Sequence, residues 1–159
     1  MKSLLPVEIN KIKFNNRPDP VPYNYRISYK VAQLCLILYM IVKKGGCSFI
    51  KLQMISVALS SEYDMVQMMD FINGKLPDFS IISFDPSVNN ALIYAISDGL
   101  IEMQSSNNKF KLSIKGKQFA QSIINDNELM MSEKENLNKI AGNLKDSDID
   151  KLVEKWGAI

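Results

Sequence analysis

The chain has 159 residues, 47% of them hydrophobic, with 19 Lys and Arg against 17 Asp and Glu, so its formal net charge is only +2. That length fits one domain with tails, and the near-neutral charge lacks the strongly basic signature of a dedicated nucleic-acid binder. The chain holds no histidine, which removes the commonest general base and zinc ligand, and its two cysteines give neither a disulfide framework nor a metal-binding spacing.

Residues 1–27 read as an extended N-terminal arm, because Pro6, Pro18, Pro20 and Pro22 prevent a long helix. The arm is nevertheless apolar, carrying Leu4, Leu5, Val7, Ile9, Ile12, Phe14, Tyr23 and Tyr25. It either packs across its own domain or docks on a partner. Pro6, Glu8, Asn10 and Lys11 interrupt any leader-like apolar run. The stretch from Val31 to Val42 is far shorter than the about 20 residues of a membrane span. The expected location is cytoplasmic, with Cys35 and Cys47 reduced and buried.

A helical core is expected over residues 28–125. Ser28 would cap a first helix running to about Lys44, apolar nearly all round and stopped by Gly45-Gly46. The glycine pair lacks the pattern of a phosphate-binding P-loop. Ser48 would cap a second helix over about residues 49–59. Ser61 and Asp64 resemble a capping box opening a third, methionine-rich helix that ends near Asn73-Gly74. Residues 77–84 read as extended.

Asp85-Pro86 is a strong start for a fourth helix. Val88, Ala91, Leu92, Ala95 and Ile96 would form its buried stripe, leaving Asn89, Asn90, Ile93, Tyr94 and Ser97 outward. Residues 101–103 and 110–112 would pair as a hairpin turning through Ser105–Asn108. The next helix, from about Ser113 to Asn125, would bury Phe119, Ala120, Ile123 and Ile124. Helix, strand, turn, strand, helix is the order of a winged-helix domain. The expected fold class is therefore mostly α with a small β-hairpin wing, with extra elements at both ends.

Residues 126–159 would add C-terminal helices packed on that core. Ser132 and Glu135 form a candidate capping box before Leu137, Ile140 and Leu144. Ser147 would cap a last helix carrying Ile149, Leu152, Val153 and Trp156. Residues 146–157 imitate the start of a calcium loop but place Lys151 and Gly157 where Gly and Glu are needed.

The fourth helix stands where a winged-helix protein puts its recognition helix. It has no Lys or Arg and ends in Asp98, so it lacks the cations that hold phosphate backbones. Ile93 and Tyr94 suit a protein contact better. With Tyr23 and Tyr25 on the arm and Trp156 at the far end, they are the candidate partner-binding residues. Lys109, Lys111, Lys115 and Lys117 gather around the hairpin, either as a solvated surface or as a weak nucleic-acid contact. No nucleophile, phosphate loop or metal cluster points to catalysis. The expectation is a non-enzyme without a cofactor or metal.

Several stretches carry a family resemblance. They are Arg26-Ile-Ser-Tyr-Lys-Val-Ala-Gln-Leu-Cys-Leu-Ile-Leu38, Lys44-Gly-Gly-Cys-Ser48, Lys51-Leu52 and Ile55-Ser-Val-Ala-Leu-Ser60. Asp85-Pro86, Asn89-Asn-Ala-Leu-Ile-Tyr-Ala-Ile-Ser-Asp-Gly-Leu100, Lys115-Gly-Lys117, Glu133-Lys134 and Trp156 complete the set. Together they resemble the middle component of ABC-three-component systems, the group holding accessory subunits of Lamassu-type anti-phage defence. The resemblance implies a non-catalytic subunit. Its partners would be an SMC-like ABC ATPase and an effector, commonly a nuclease, and its own contact with DNA would be weak or indirect. The alternatives are a winged-helix transcriptional regulator using the lysine-bearing hairpin, and an antitoxin-like module that neutralises a partner.

Overall fold

The computed structural model describes residues 22–42, 44–77 and 85–157. Most of the arm and nearly all of the expected extended stretch at 77–84 lie outside them. The described chain is mostly helical, with one small antiparallel hairpin. A short 3-10 turn, Tyr23–Tyr25, precedes α1 (Ile27–Ile41), α2 (Phe49–Ala58), α3 (Glu62–Ile72) and α4 (Pro86–Ser97). The hairpin strands β1 (Ile101–Met103) and β2 (Phe110–Leu112) follow, then α5 (Ile114–Asn125), α6 (Met131–Ile140) and α7 (Asp146–Gly157).

The all-round apolar character of α1 is explained by its place. It packs against α2, α4, α5, α6 and β2. Leu34, Cys35, Leu36 and Ile37 are fully buried along it. Along its central turns the helix is enclosed and has no solvent face to decorate with charge, whereas Ile27 and Tyr39 near its ends are exposed. The C-terminal helices close the other flanks, α6 against α1 and α7 against α2.

Three helix starts follow the sequence signals. Ser48 accepts from Lys51 N and Asp85 accepts from Ser87 N. Ser61 accepts from Asp64 N, while the Asp64 carboxylate takes the Ser61 hydroxyl at 2.6 Å. Ser113, expected as the first residue of its helix, is instead the cap of α5 and accepts from Gly116 N.

Others differ. α1 starts at Ile27 and not after Ser28, because the turn bond from Arg26 N to Tyr23 O leaves Arg26 extended as the cap. It ends at Ile41, short of Lys44, where Val42 turns extended ahead of two glycines with positive φ. α6 starts before Ser132. The Asp126 carboxylate takes the N–H groups of Glu128 and Leu129, and Met130 then enters the helix from φ 50°. α7 starts at Asp146, so Ser147 lies inside its first turn.

The hairpin pairs Ile101 with Leu112 and Met103 with Phe110. Its outer strand also meets the segment after α1: Cys47 N donates to Phe110 O and Phe110 N to Cys47 O, both at 2.8 Å. β1 leaves α4 through a turn in which Gly99 N donates to Ile96 O and Leu100 N to Ala95 O. α5 is laid directly on that turn. A Cβ on Gly116 would stand 2.0 Å from the Leu100 carbonyl oxygen, so only glycine fits the crossing.

Candidate functional site

The direction in which α4 faces is set from the interior. Asp85 caps the helix, its carboxylate accepting from Ser87 N at 2.9 Å and Ser87 Oγ at 2.6 Å. Its other oxygen lies 3.1 Å from the ammonium of Lys30, which is 1% exposed on α1. Lys30 Nζ donates to Ser56 Oγ at 3.0 Å and Gln33 Oε1 at 3.3 Å, and Ser56 Oγ donates to the same Gln33 oxygen. Gln53 of α2 holds the Asp85 backbone from both sides. Burial alone would raise the Asp85 carboxyl. The Ser87 hydrogen bonds and then the bond and charge of Lys30 outweigh it and hold the group below the usual carboxylate range.

That anchoring leaves α4 with a buried and an outward face. Val88, Ala91, Leu92 and Ala95 are buried, whereas Asn89, Asn90, Ile93 and Tyr94 are exposed, Ile93 at 57% and Tyr94 at 62%. Ile96, expected inside, is 38% exposed. It sits at the edge of the stripe, where the turn of the helix carries it past α1.

Tyr94 also borders an apolar groove of about 500 Å³ between α1, α4 and α5, whose walls include Ile27, Val31, Leu100 and Phe119. Phe119 was expected in the core, yet it is 36% exposed because Ala120 and Ile123 take the inward positions of α5. Ile27 and Phe119 thus belong to this surface although sequence spacing assigns them elsewhere. The groove's polar rim is Asp98 and Lys115: Lys115 Nζ donates to the Asp98 carbonyl at 2.7 Å and lies 3.2 Å from its carboxylate.

The other candidate contacts do not join this surface. Tyr23, 64% exposed, sits edge-on to Tyr29 with ring centroids 5.1 Å apart, beside a cleft between α3 and α6. The Tyr25 side chain is outside the described residues. Trp156 is half-buried against the core from α7.

Three of the four hairpin lysines are engaged with carboxylates. Lys109 lies 3.5 Å from Asp146, Lys111 3.4 Å from Glu102 and Lys115 3.2 Å from Asp98. Among the described residues Lys117 has no acidic partner, and neither does Lys44. Asp146 also takes the buried Lys51 at 2.6 Å, and that bond is the main cause holding its carboxyl low.

Cys35 and Cys47 are buried free thiols, each pushed up to about 12 by that burial. Among the described residues no group of three or more His, Cys, Asp or Glu side chains could hold a metal, and no helix is long and apolar enough to cross a membrane. The chain matches no protein-family model, no curated protein and no solved structure.

Proposed function

We propose that this chain is a winged-helix assembly subunit without catalytic activity, which binds an SMC-like ABC ATPase and helps hold an effector nuclease in an anti-phage defence complex. The winged-helix reading is supported by the order α1, Cys47 bridge, α2, α3, α4, β1, β2, α5, in which the segment after the first helix joins the edge of the two-stranded hairpin through a single β-bridge. The partner assignment is supported by the resemblance to the middle component of ABC-three-component systems.

The observation that carries the assembly reading is the outward face of α4. Ile93 and Tyr94 are more than half exposed there, beside an apolar groove, on a helix with no cation. A groove-reading helix needs the opposite, cations for phosphates and polar ends for base edges. Large apolar side chains beside a groove are the anchors that protein interfaces use.

A second reading, a transcriptional regulator, rests on the lysines around the hairpin. It requires tight, sequence-dependent DNA binding by the isolated chain, with steep salt dependence. An antitoxin-like module would instead be recovered with a toxic neighbour.

Affinity capture of the tagged chain from its own operon separates them. Stoichiometric recovery of a large coiled-coil ATPase, with or without a nuclease-like third protein, is the expected result. Recovery of the chain alone, together with selection of a defined DNA site, would overturn the assembly reading.

A further inference from the structure

A cavity of about 260 Å³ lies between the end of α1, the Gly45-Gly46 loop, the hairpin and the start of α5. It is separate from the groove beside Tyr94. Three lysines that are far apart in sequence meet at it: Lys44 from the loop, Lys111 from β2 and Lys117 from the first turns of α5. Glu102 answers only one of them, 3.4 Å from Lys111, with both side chains about half exposed and therefore well screened. Lys44 and Lys117 have no acidic partner among the described residues. The cavity thus carries an excess of positive charge in a chain that is otherwise nearly neutral.

The walls are not only cationic. Tyr39 presents its ring from α1, and its hydroxyl donates to Gln121 Oε1 of α5, which fixes the ring's position. Leu38, Val42 and Leu112 add apolar surface. Gln104 lines the opposite side, and its Oε1 is buried without a hydrogen-bond partner. A buried carboxamide oxygen left unpaired is costly, and a ligand donor would relieve it. The loop lies tight against the hairpin beside the cavity. Gly46 sits at φ +79°, and a Cβ there would stand 2.9 Å from Lys109 Cβ and 3.0 Å from Gln104 Oε1.

We propose that this cavity binds a nucleotide. The base lies on the Tyr39 ring, a base amino or imino group donates to Gln104 Oε1, and the phosphate is held by Lys44, Lys111 and Lys117. Aromatic stacking beside a cationic track is how proteins hold single-stranded nucleic acid without reading long sequences. The same chemistry serves a free nucleotide. The site does not depend on the partner assignment above, and its test uses the isolated full chain.

The test is amide-resolved NMR titration of the full chain with cytidine monophosphate, with an oligodeoxycytidylate of roughly ten nucleotides, and with inorganic phosphate. Expected are shifts at Gly45, Gly46 and the Gln104 side-chain amide with the nucleotide probes, and much weaker ones with phosphate. Equal affinity for the mononucleotide and the strand identifies a free nucleotide as the source. Clear preference for the strand identifies single-stranded nucleic acid.

Lys44→Gln with Lys117→Gln changes only exposed side chains and should lower affinity by about tenfold or more. Lys115→Gln, outside the cavity, should not. Tyr39→Phe keeps the ring and should bind, while Tyr39→Ala should lose about tenfold. Absence of shifts at these residues with either nucleotide probe, equal binding of inorganic phosphate, or full binding by the double lysine variant would overturn the proposal.

Discussion

Lys30 and Asp85 form a buried ion pair, 3.1 Å apart, in which the carboxylate is also the cap of α4. One residue therefore ends two separate tasks, neutralising an ammonium taken out of water and satisfying the first N–H groups of a helix. Removing Asp85 leaves the fully buried Lys30 ammonium unpaired, whereas the Asp85 carboxylate, 16% exposed, keeps contact with water when Lys30 is removed. Asp85→Asn, which strands the buried Lys30 ammonium, should cost roughly 3–5 kcal/mol of stability, and Lys30→Met less. The double change Lys30→Met with Asp85→Asn should cost less than the sum of the singles. Urea unfolding of the four proteins measures both quantities, and strict additivity would show that the pair is not coupled.

The carboxyls of Asp85 and Asp146 are both held below their ordinary value of 3.8 in the folded chain. The unfolded chain therefore takes up protons first as pH falls. The stabilisation is complete above about pH 5 and is lost as pH drops through about 4 and below. Asp85→Asn and Asp146→Asn should each flatten this acid limb while leaving stability between pH 6 and 8 flat with pH. Unfolding free energy measured across roughly pH 2.5 to 7 checks the sign. A limb of unchanged steepness in both variants would place the acid sensitivity elsewhere.

Gly116→Ala should destabilise by roughly 1–3 kcal/mol, because its new methyl meets the Leu100 carbonyl oxygen at 2.0 Å. Gly157→Ala is the matched control: it is also helical, and among the described residues nothing lies within 4 Å of its Cβ position. Thermal melts of the two variants should part clearly. Equal effects would mean that α5 moves off the turn at little cost.

Ile93→Glu with Tyr94→Glu should leave the melting temperature of the isolated chain nearly unchanged, since both side chains are more than half exposed. The same protein should fail to capture its partner. Circular dichroism melts and co-purification are the two readouts. Loss of the fold would put these residues inside, and undiminished capture would move the interface off α4.

Much of the local structure was legible because it is written in short range. Asp85-Pro86, Ser48 and Ser61 announce helices through bonds that span only two or three residues. The hairpin announces itself through two apolar runs around a polar turn. The Lys30–Asp85 pair was not legible, because its partners are 55 positions apart and nothing in either neighbourhood names the other. The same is true of the cavity that gathers Lys44, Lys111 and Lys117, whereas the sequence grouped Lys117 with Lys109 and Lys115. Phe119 and Ile96 were misplaced because a 3.6-residue period fixes the middle of a buried stripe but not its edges.

The two hydrogen bonds between Cys47 and Phe110 close a loop that contains all of α2, α3 and α4. β1 and β2 can find each other within a few residues, on the microsecond scale of an isolated hairpin. Their junction with Cys47 carries the entropic cost of a long closure, because the chain between the partners includes three helices. The hairpin's outer edge is therefore a non-local seam, unlike the hairpin itself. Amide exchange at Cys47 and Phe110 reports on that long closure, whereas exchange at Ile101 and Leu112 reports on the hairpin alone.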